Sequence, residues 1–134
     1  MQWTTAQAYE LVADVEQYPD FLPGWHRVTI LRSDKNQAEV EQAVGLGPFS
    51  MRFFSTAIFV PHEQIVIRSQ GGPFSRLELC WIFTPVGQGC CVELTVNAEF
   101  RSYLLERASG QIMASLVNRI MSAFERRARL LYAV

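Results

Sequence analysis

The sequence predicts an α+β fold in which a curved antiparallel sheet wraps one long C-terminal helix, with short helices at the N-terminal end. Three observations carry this expectation. From Ser102 to Val134 the chain has no proline, and Ile112, Met113, Leu116, Val117, Ile120, Phe124 and Leu131 recur at three- and four-residue steps, the signature of one apolar helical stripe. From Val28 to Phe100 the pattern changes to apolar and polar residues alternating between short turns. No second segment is a long amphipathic helix, so the stripe must be covered by strands.

In chain order, Thr4 followed three positions later by Gln7 predicts a capping box that opens a helix of about 10 residues through Tyr9, Leu11, Val12 and Val15. The segment Tyr18-Pro-Asp-Phe-Leu-Pro-Gly-Trp25 holds two prolines and four large apolar side chains, and a brief second helix is expected near 17–21. Tyr18, Phe21, Leu22 and Trp25 fit either the rim of the sheet or a lid or membrane-touching tip beside a cavity.

Six strands are expected at 27–34, 38–46, 50–61, 64–70, 74–84 and 90–101, and their short turns imply an antiparallel meander. On the fifth strand Leu77, Leu79, Trp81 and Phe83 alternate with Arg76, Glu78 and Cys80. On the sixth, Val92, Leu94, Val96 and Phe100 fall on the parity opposite to Glu93, Thr95 and Asn97. The third strand carries Phe53, Phe54, Ile58 and Phe59 on both parities, so it has either two covered faces or an apolar patch for a partner. Ser102 is a fair N-cap for the terminal helix, and Gly110 within it costs only about 1 kcal/mol against alanine.

A chain of 134 residues suits one domain, spanning 1–134. No apolar run approaches the roughly 20 residues of a membrane-spanning helix, Met1-Gln-Trp-Thr-Thr is unlike a secretory leader, and three cysteines cannot all pair within one chain. A reducing, cytoplasmic setting fits best. The net charge is -1, but residues 1–67 hold eight acids and four bases while 68–134 hold five acids and eight bases. Arg119, Arg126, Arg127 and Arg129 lie on the terminal helix, where they can meet phosphate on lipid or RNA or form a solvated face with Glu106 and Glu125.

The common catalytic spacings are missing. Gly45-Leu-Gly47 has neither a third glycine nor a following lysine, and it reads as a strand end or bulge. No metal site is expected, because Cys90 and Cys91 are adjacent and point to opposite faces of a strand. His26 and His62 are the only histidines, and a turn position favours solvation over general-base chemistry. No catalytic residue is assigned. What remains is a binder of apolar molecules. Its walls are expected from Phe54, Ile58, Ile67, Leu79, Trp81, Phe83, Leu94 and Phe100 on the strands and from Ile112, Met113, Leu116 and Ile120 on the helix. Phe21, Leu22 and Trp25 would close one side, and Thr56, Tyr103 and Arg52 are the candidate polar contacts. Arg52 shares parity with Phe54, Thr56 and Ile58, so it reaches a ligand only if that face is inward; otherwise it extends to water at a strand end.

Leu11-Val-Ala-Asp-Val-Glu-Gln-Tyr-Pro-Asp-Phe-Leu-Pro-Gly24, Trp81-Ile-Phe-Thr-Pro85, Phe100-Arg-Ser102 and Ala123-Phe-Glu-Arg-Arg-Ala128 together resemble the coenzyme Q-binding branch of the START-like superfamily, often labelled polyketide cyclase/dehydrase. The resemblance runs nearly end to end. It implies a helix-grip fold with a hydrophobic ligand held between the terminal helix and a seven-stranded sheet. Only Met1-Gln-Trp-Thr precedes the first helix, too short for the strand with which members usually begin, so six to seven strands are expected, with an open edge that invites a homodimer.

The function expected from this resemblance is non-enzymatic, cofactor-free binding of a prenylated quinone such as ubiquinone, in support of respiratory electron transport. The protein would then sit at the periphery of the inner membrane, with Phe21, Leu22 and Trp25 touching the bilayer. The same branch includes ribosome-association toxins, for which the arginines Arg119, Arg126, Arg127 and Arg129 would contact RNA of the large subunit. A cyclase or aromatase is the third reading, and it requires an acid or base within the cavity.

Overall fold

The computed structural model describes residues 3–46, 49–69 and 71–132, leaving aside the side chains of 46, 49, 103–106 and 108–113. Helix α1 spans Thr5–Ala13 and is followed by a 3-10 turn over Val15–Asp20. Strands β1 (Trp25–Ser33), β2 (Gln37–Leu46), β3 (Phe49–Val60), β4 (Gln64–Ser69), β5 (Phe74–Val86) and β6 (Gly89–Phe100) then lead into helix α2, Tyr103–Tyr132.

Both arms of the expected capping box form. The Gln7 N–H donates to Thr4 Oγ1 and the Thr4 N–H donates to Gln7 Oε1, each at 3.1 Å, so two of the helix's first unpaired donors are satisfied. Helix α1 buries Ala8, Leu11 and Val12. The 3-10 turn tolerates Pro19, and its Tyr18 carbonyl accepts the Leu22 N–H at 2.8 Å while the Tyr18 hydroxyl donates to the Val12 carbonyl. These bonds fold the aromatic connection back on α1.

The six strands pair in sequence order, each antiparallel to the next, forming the expected curved meander of the helix-grip α+β fold. Strand β5 runs past its expected end, through Pro85 to Val86. Strand β4 pairs no farther than Gln64 with Ile82, so Pro85 has a neighbour only in β6, and its missing N–H need break no ladder bond. Strand alternation resolves the ambiguous β3: Met51, Phe53, Ser55 and Ala57 are buried on the concave face. Arg52, Phe54, Thr56 and Ile58 take the opposite parity and lie on the convex face, with Phe54 55% exposed.

Helix α2 lies over the concave face as a rod of about 45 Å by the usual rise per residue. Its buried line runs Ile120, Ala123, Phe124 and Ala128, with Leu116 and Tyr132 part-buried in continuation. Leu131, expected on the stripe, is 52% exposed, because in the last turns of α2 the covered side is the one that carries Ala128 and Tyr132 against α1. The Phe124 ring sits edge-on to Tyr18, Phe21 and Trp81, with centroids 5.6, 5.1 and 5.2 Å away. One side chain thus ties the helix, the sheet and the aromatic connection together.

Phe124→Ala should lower the unfolding free energy by about 3–5 kcal/mol, whereas Leu131→Ala should stay within about 0.5 kcal/mol, both read from urea denaturation midpoints.

Candidate binding cavity

Two adjoining apolar hollows lie between α2 and the concave sheet. The first, about 50 Å³, is walled by residues that include Val44, Met51, Phe53, Phe74, Val96 and Leu116. The second, about 40 Å³, adds Tyr18, Leu22, Gln42, Ile67, Trp81 and Phe124. Trp25, Phe53, Leu79 and Ile120 line both, so the two are neighbouring lobes on either side of these side chains. Beneath α1 the corresponding gap, between residues such as Trp3, Leu11, Trp81 and Phe124, is only about 10 Å³ and is effectively filled. The space therefore opens where α2 alone covers the sheet and closes where α1 joins it.

Backbone geometry at Gly24 sets one wall. Gly24 adopts φ +88°, and a Cβ there would stand 2.5 Å from the Gly45 carbonyl oxygen, while the Gly45 N–H donates to the Gly24 carbonyl at 2.7 Å. This left-handed close approach seats the turn on β2 and places Trp25 above Gln42. Gly45 is thus a docking point for another glycine.

Of the residues expected to line a cavity, Leu22, Trp25, Ile67, Leu79, Trp81, Leu116 and Ile120 do so. Phe83 is buried near α1, its ring 5.7 Å from that of Tyr9, and Phe100 packs with Phe74 at 5.0 Å. Leu94 and Phe21 pack against the core, and Phe21 is part-buried between Tyr18 and Phe124. The expected inward places of Phe54, Thr56 and Ile58 are corrected, because β3 turns that parity to the convex face, and Arg52 takes its outward alternative, away from the cavity. There Arg52 Nη2 meets Glu41 at 2.9 Å, and Thr56 borders an open depression of about 420 Å³ beside the Arg68–Glu78 pair. The side chains of Tyr103, Ile112 and Met113 lie outside the described residues.

The aromatic connection is also not a free membrane tip. Leu22 is buried, and the Arg127 guanidinium lies 5.2 Å from the Phe21 ring centroid, a cation–π contact that holds the connection against α2. Arg127 is thereby engaged and Arg129 lies 3.9 Å from Glu125, whereas Arg119 and Arg126 are exposed, seven residues apart on one helix face.

Sequence reasoning missed Gln42 and Ser55. Both are buried on the concave face, where the Trp25 Nε1–H donates to Gln42 Oε1 at 2.9 Å and Gln42 Nε2 donates to Ser55 Oγ at 3.1 Å. A signal existed: Gln42 interrupts the inward series Ala38, Val40 and Val44 on β2. Among the described residues, no carboxylate, histidine or cysteine lines either lobe, and no three metal-ligating side chains cluster. The titratable wall group is Tyr18, whose phenol is pushed far above its ordinary value of 10.0 by burial and then by the Asp14 carboxylate.

A helix gripped by a curved antiparallel meander around an apolar hollow defines the START-like class of ligand-holding folds. The chain belongs to the family described as "Polyketide cyclase / dehydrase and lipid transport", which matches residues 1–125. It is 32% identical over 133 residues to the Vibrio cholerae protein named "Ribosome association toxin RatA", covering 98% of this chain and 92% of that one. It is 30% identical over 131 residues to the Xenopus laevis "Coenzyme Q-binding protein COQ10 homolog B, mitochondrial", covering 94% of this chain and 54% of that one. A crystal structure of a Thermus thermophilus protein superposes with a TM-score of 0.89 at 19% identity, over 99% of this chain and 94% of the other, a likeness of fold.

The unfolded chain releases the Tyr18 proton near pH 10 while the folded chain retains it, so this contribution to stability is complete below that pH and is lost as pH rises above it. Tyr18→Phe should therefore flatten the alkaline fall in unfolding free energy, and at neutral pH it should cost about 1–2 kcal/mol because the Val12 carbonyl loses its donor. Urea melts of both proteins between neutral and alkaline pH check the two effects.

Proposed function

We propose that the protein binds an apolar small molecule of the prenylated-quinone class beneath α2 and presents it to membrane enzymes of respiratory electron transport. The observation that carries this reading is the two-lobed hollow, whose walls among the described residues are apolar apart from the Tyr18 hydroxyl and Gln42 with its Trp25 donor. Likeness to a relative named for coenzyme Q binding supports the ligand class. Among the described residues the walls offer no acid or base suited to cyclisation, which favours a carrier over a cyclase.

Magnitudes constrain how such a ligand is held. At about 0.8 kcal/mol per buried methylene, one five-carbon prenyl unit contributes roughly 3–4 kcal/mol, so two or three units suffice for micromolar affinity after ordering costs. Neither lobe reaches the about 150 Å³ of an engineered cavity that admits benzene, so seating a quinone ring must widen the gap between α2 and the sheet. A long tail then remains partly in the bilayer. No helix among the described residues is long and apolar enough to cross a membrane.

A second reading, association with the ribosome, is favoured by the name of the Vibrio cholerae relative and by the exposed pair Arg119 and Arg126. It predicts co-sedimentation with large subunits that weakens steeply with salt and is reduced by Arg119→Glu with Arg126→Glu. Unchanged sedimentation of that double variant would remove the helix arginines from the interaction.

For the carrier reading, a short-tail benzoquinone should quench the fluorescence of Trp25 and Trp81. At a hundredfold excess over its dissociation constant it should stabilise the fold by about 2.7 kcal/mol, seen as a higher melting temperature. Absence of both effects up to millimolar quinone would contradict the reading.

A further inference from the structure

Concave-face polar groups are few, and they divide into two kinds. Ser69 is occupied by the chain itself: its Oγ donates to the Phe54 carbonyl and accepts the Gly71 N–H at 3.2 Å. Gln42 is different. It is 8% exposed, it lines the second lobe, and its amide is held at two points only, by Trp25 and by Ser55. Indole nitrogen can only donate, so the group facing it must be Gln42 Oε1, and this fixes which way the amide lies. Nε2 must then face Ser55, whose oxygen accepts one of its two N–H bonds. The second N–H lies in the same amide plane with no protein partner among the described residues. A buried donor without an acceptor is costly, more so than a carbonyl with one spare lone pair.

We propose that Gln42, oriented by Trp25 and Ser55, is the head-group recognition residue of the cavity and donates a hydrogen bond to a neutral oxygen acceptor on the ligand, a ring carbonyl or ether. This assignment rests on the carrier reading above. Neutrality follows from the walls: among the described residues no charged side chain lines either lobe, so a carboxylate or phosphate would enter uncompensated. Polarity at one end and hydrocarbon along the rest also fixes the ligand's direction, with the oxygenated ring toward β2 and the tail toward the lobe bordered by Phe74, Val96 and Leu116. Ser55 and Trp25 act as positioning residues, since each touches the amide.

The test is calorimetric titration of the intact protein with two probes, a short-tail benzoquinone and the alkylbenzene of matching tail, which lacks the oxygens. Gln42→Leu should weaken quinone binding about tenfold and leave alkylbenzene binding unchanged, and Ser55→Ala should weaken quinone binding less, again without touching alkylbenzene. If both probes bind the unmodified protein and Gln42→Leu shifts neither or shifts both alike, Gln42 is not the recognition residue and the carrier reading stands without it. If neither probe binds the unmodified protein, the carrier reading falls and the assignment falls with it. Circular dichroism identifies a variant that does not fold. Should that be Gln42→Leu, the Ser55→Ala titration decides by the same selectivity between probes.

Discussion

Covering the concave face of a six-stranded sheet is the constraint on which the rest of this molecule depends. That face carries an apolar row from every strand, and two helices of unequal length must shield it. Where both helices lie together, small residues let them close on each other: Ala8 on α1 and Ala123 and Ala128 on α2 are all buried, and the Tyr132 hydroxyl reaches the Gln7 carbonyl at 3.3 Å. Packing on the α1 side of Phe124 and Trp81 leaves a gap of only about 10 Å³. Farther along, α2 works alone, Leu79, Val96 and Leu116 stay only part-buried, and the hollow appears between them. The cavity is thus a consequence of geometry, left where one cylinder cannot fill a curved trough.

Much of this was readable in the amino acids, for identifiable reasons. The capping box, six strands and their order follow from local chemistry, because Thr4, Gln7, the turn residues and the period-two rows of β5 and β6 each act over a few positions. Strand β3 was not readable. Phe53, Phe54, Ile58 and Phe59 populate both parities, and only pairing with β2 and β4 decides that Phe53 turns inward and Phe54 outward. Leu131 misled for a similar reason, since only the tertiary placement of α1 decides that Ala128 and Tyr132 are covered and Leu131 is not. Gln42 was passed over because a lone glutamine among valines carries little weight until Trp25 is brought over it, and that contact depends on the left-handed turn at Gly24.

The two faces of the sheet point to different chemistry. Outside, cations and acids pair at short range, as at Arg52 with Glu41 and Arg68 with Glu78, beside the exposed side chains of Phe54, Ile58, Val60 and Ile82. Inside, hydrocarbon surrounds one oriented amide. Membership in a family described by both cyclisation and lipid transport is compatible with either chemistry or carriage. An amide can hydrogen-bond an oxygen without moving protons, as the proposed carriage requires. The exposed arginines of α2 belong to another surface, remote in role from the hollow, so a cargo and a macromolecular partner need not compete for the same residues.

The most direct test of a ligand-holding hollow is methyl chemical-shift mapping of the labelled protein during titration with a short-tail benzoquinone. Signals from Val44, Leu79, Leu116 and Ile120 should move together and saturate, while those of Ile58, Val60 and Ile82 on the convex face stay fixed. Movement confined to the convex face, or no movement anywhere at saturating quinone, would contradict the account.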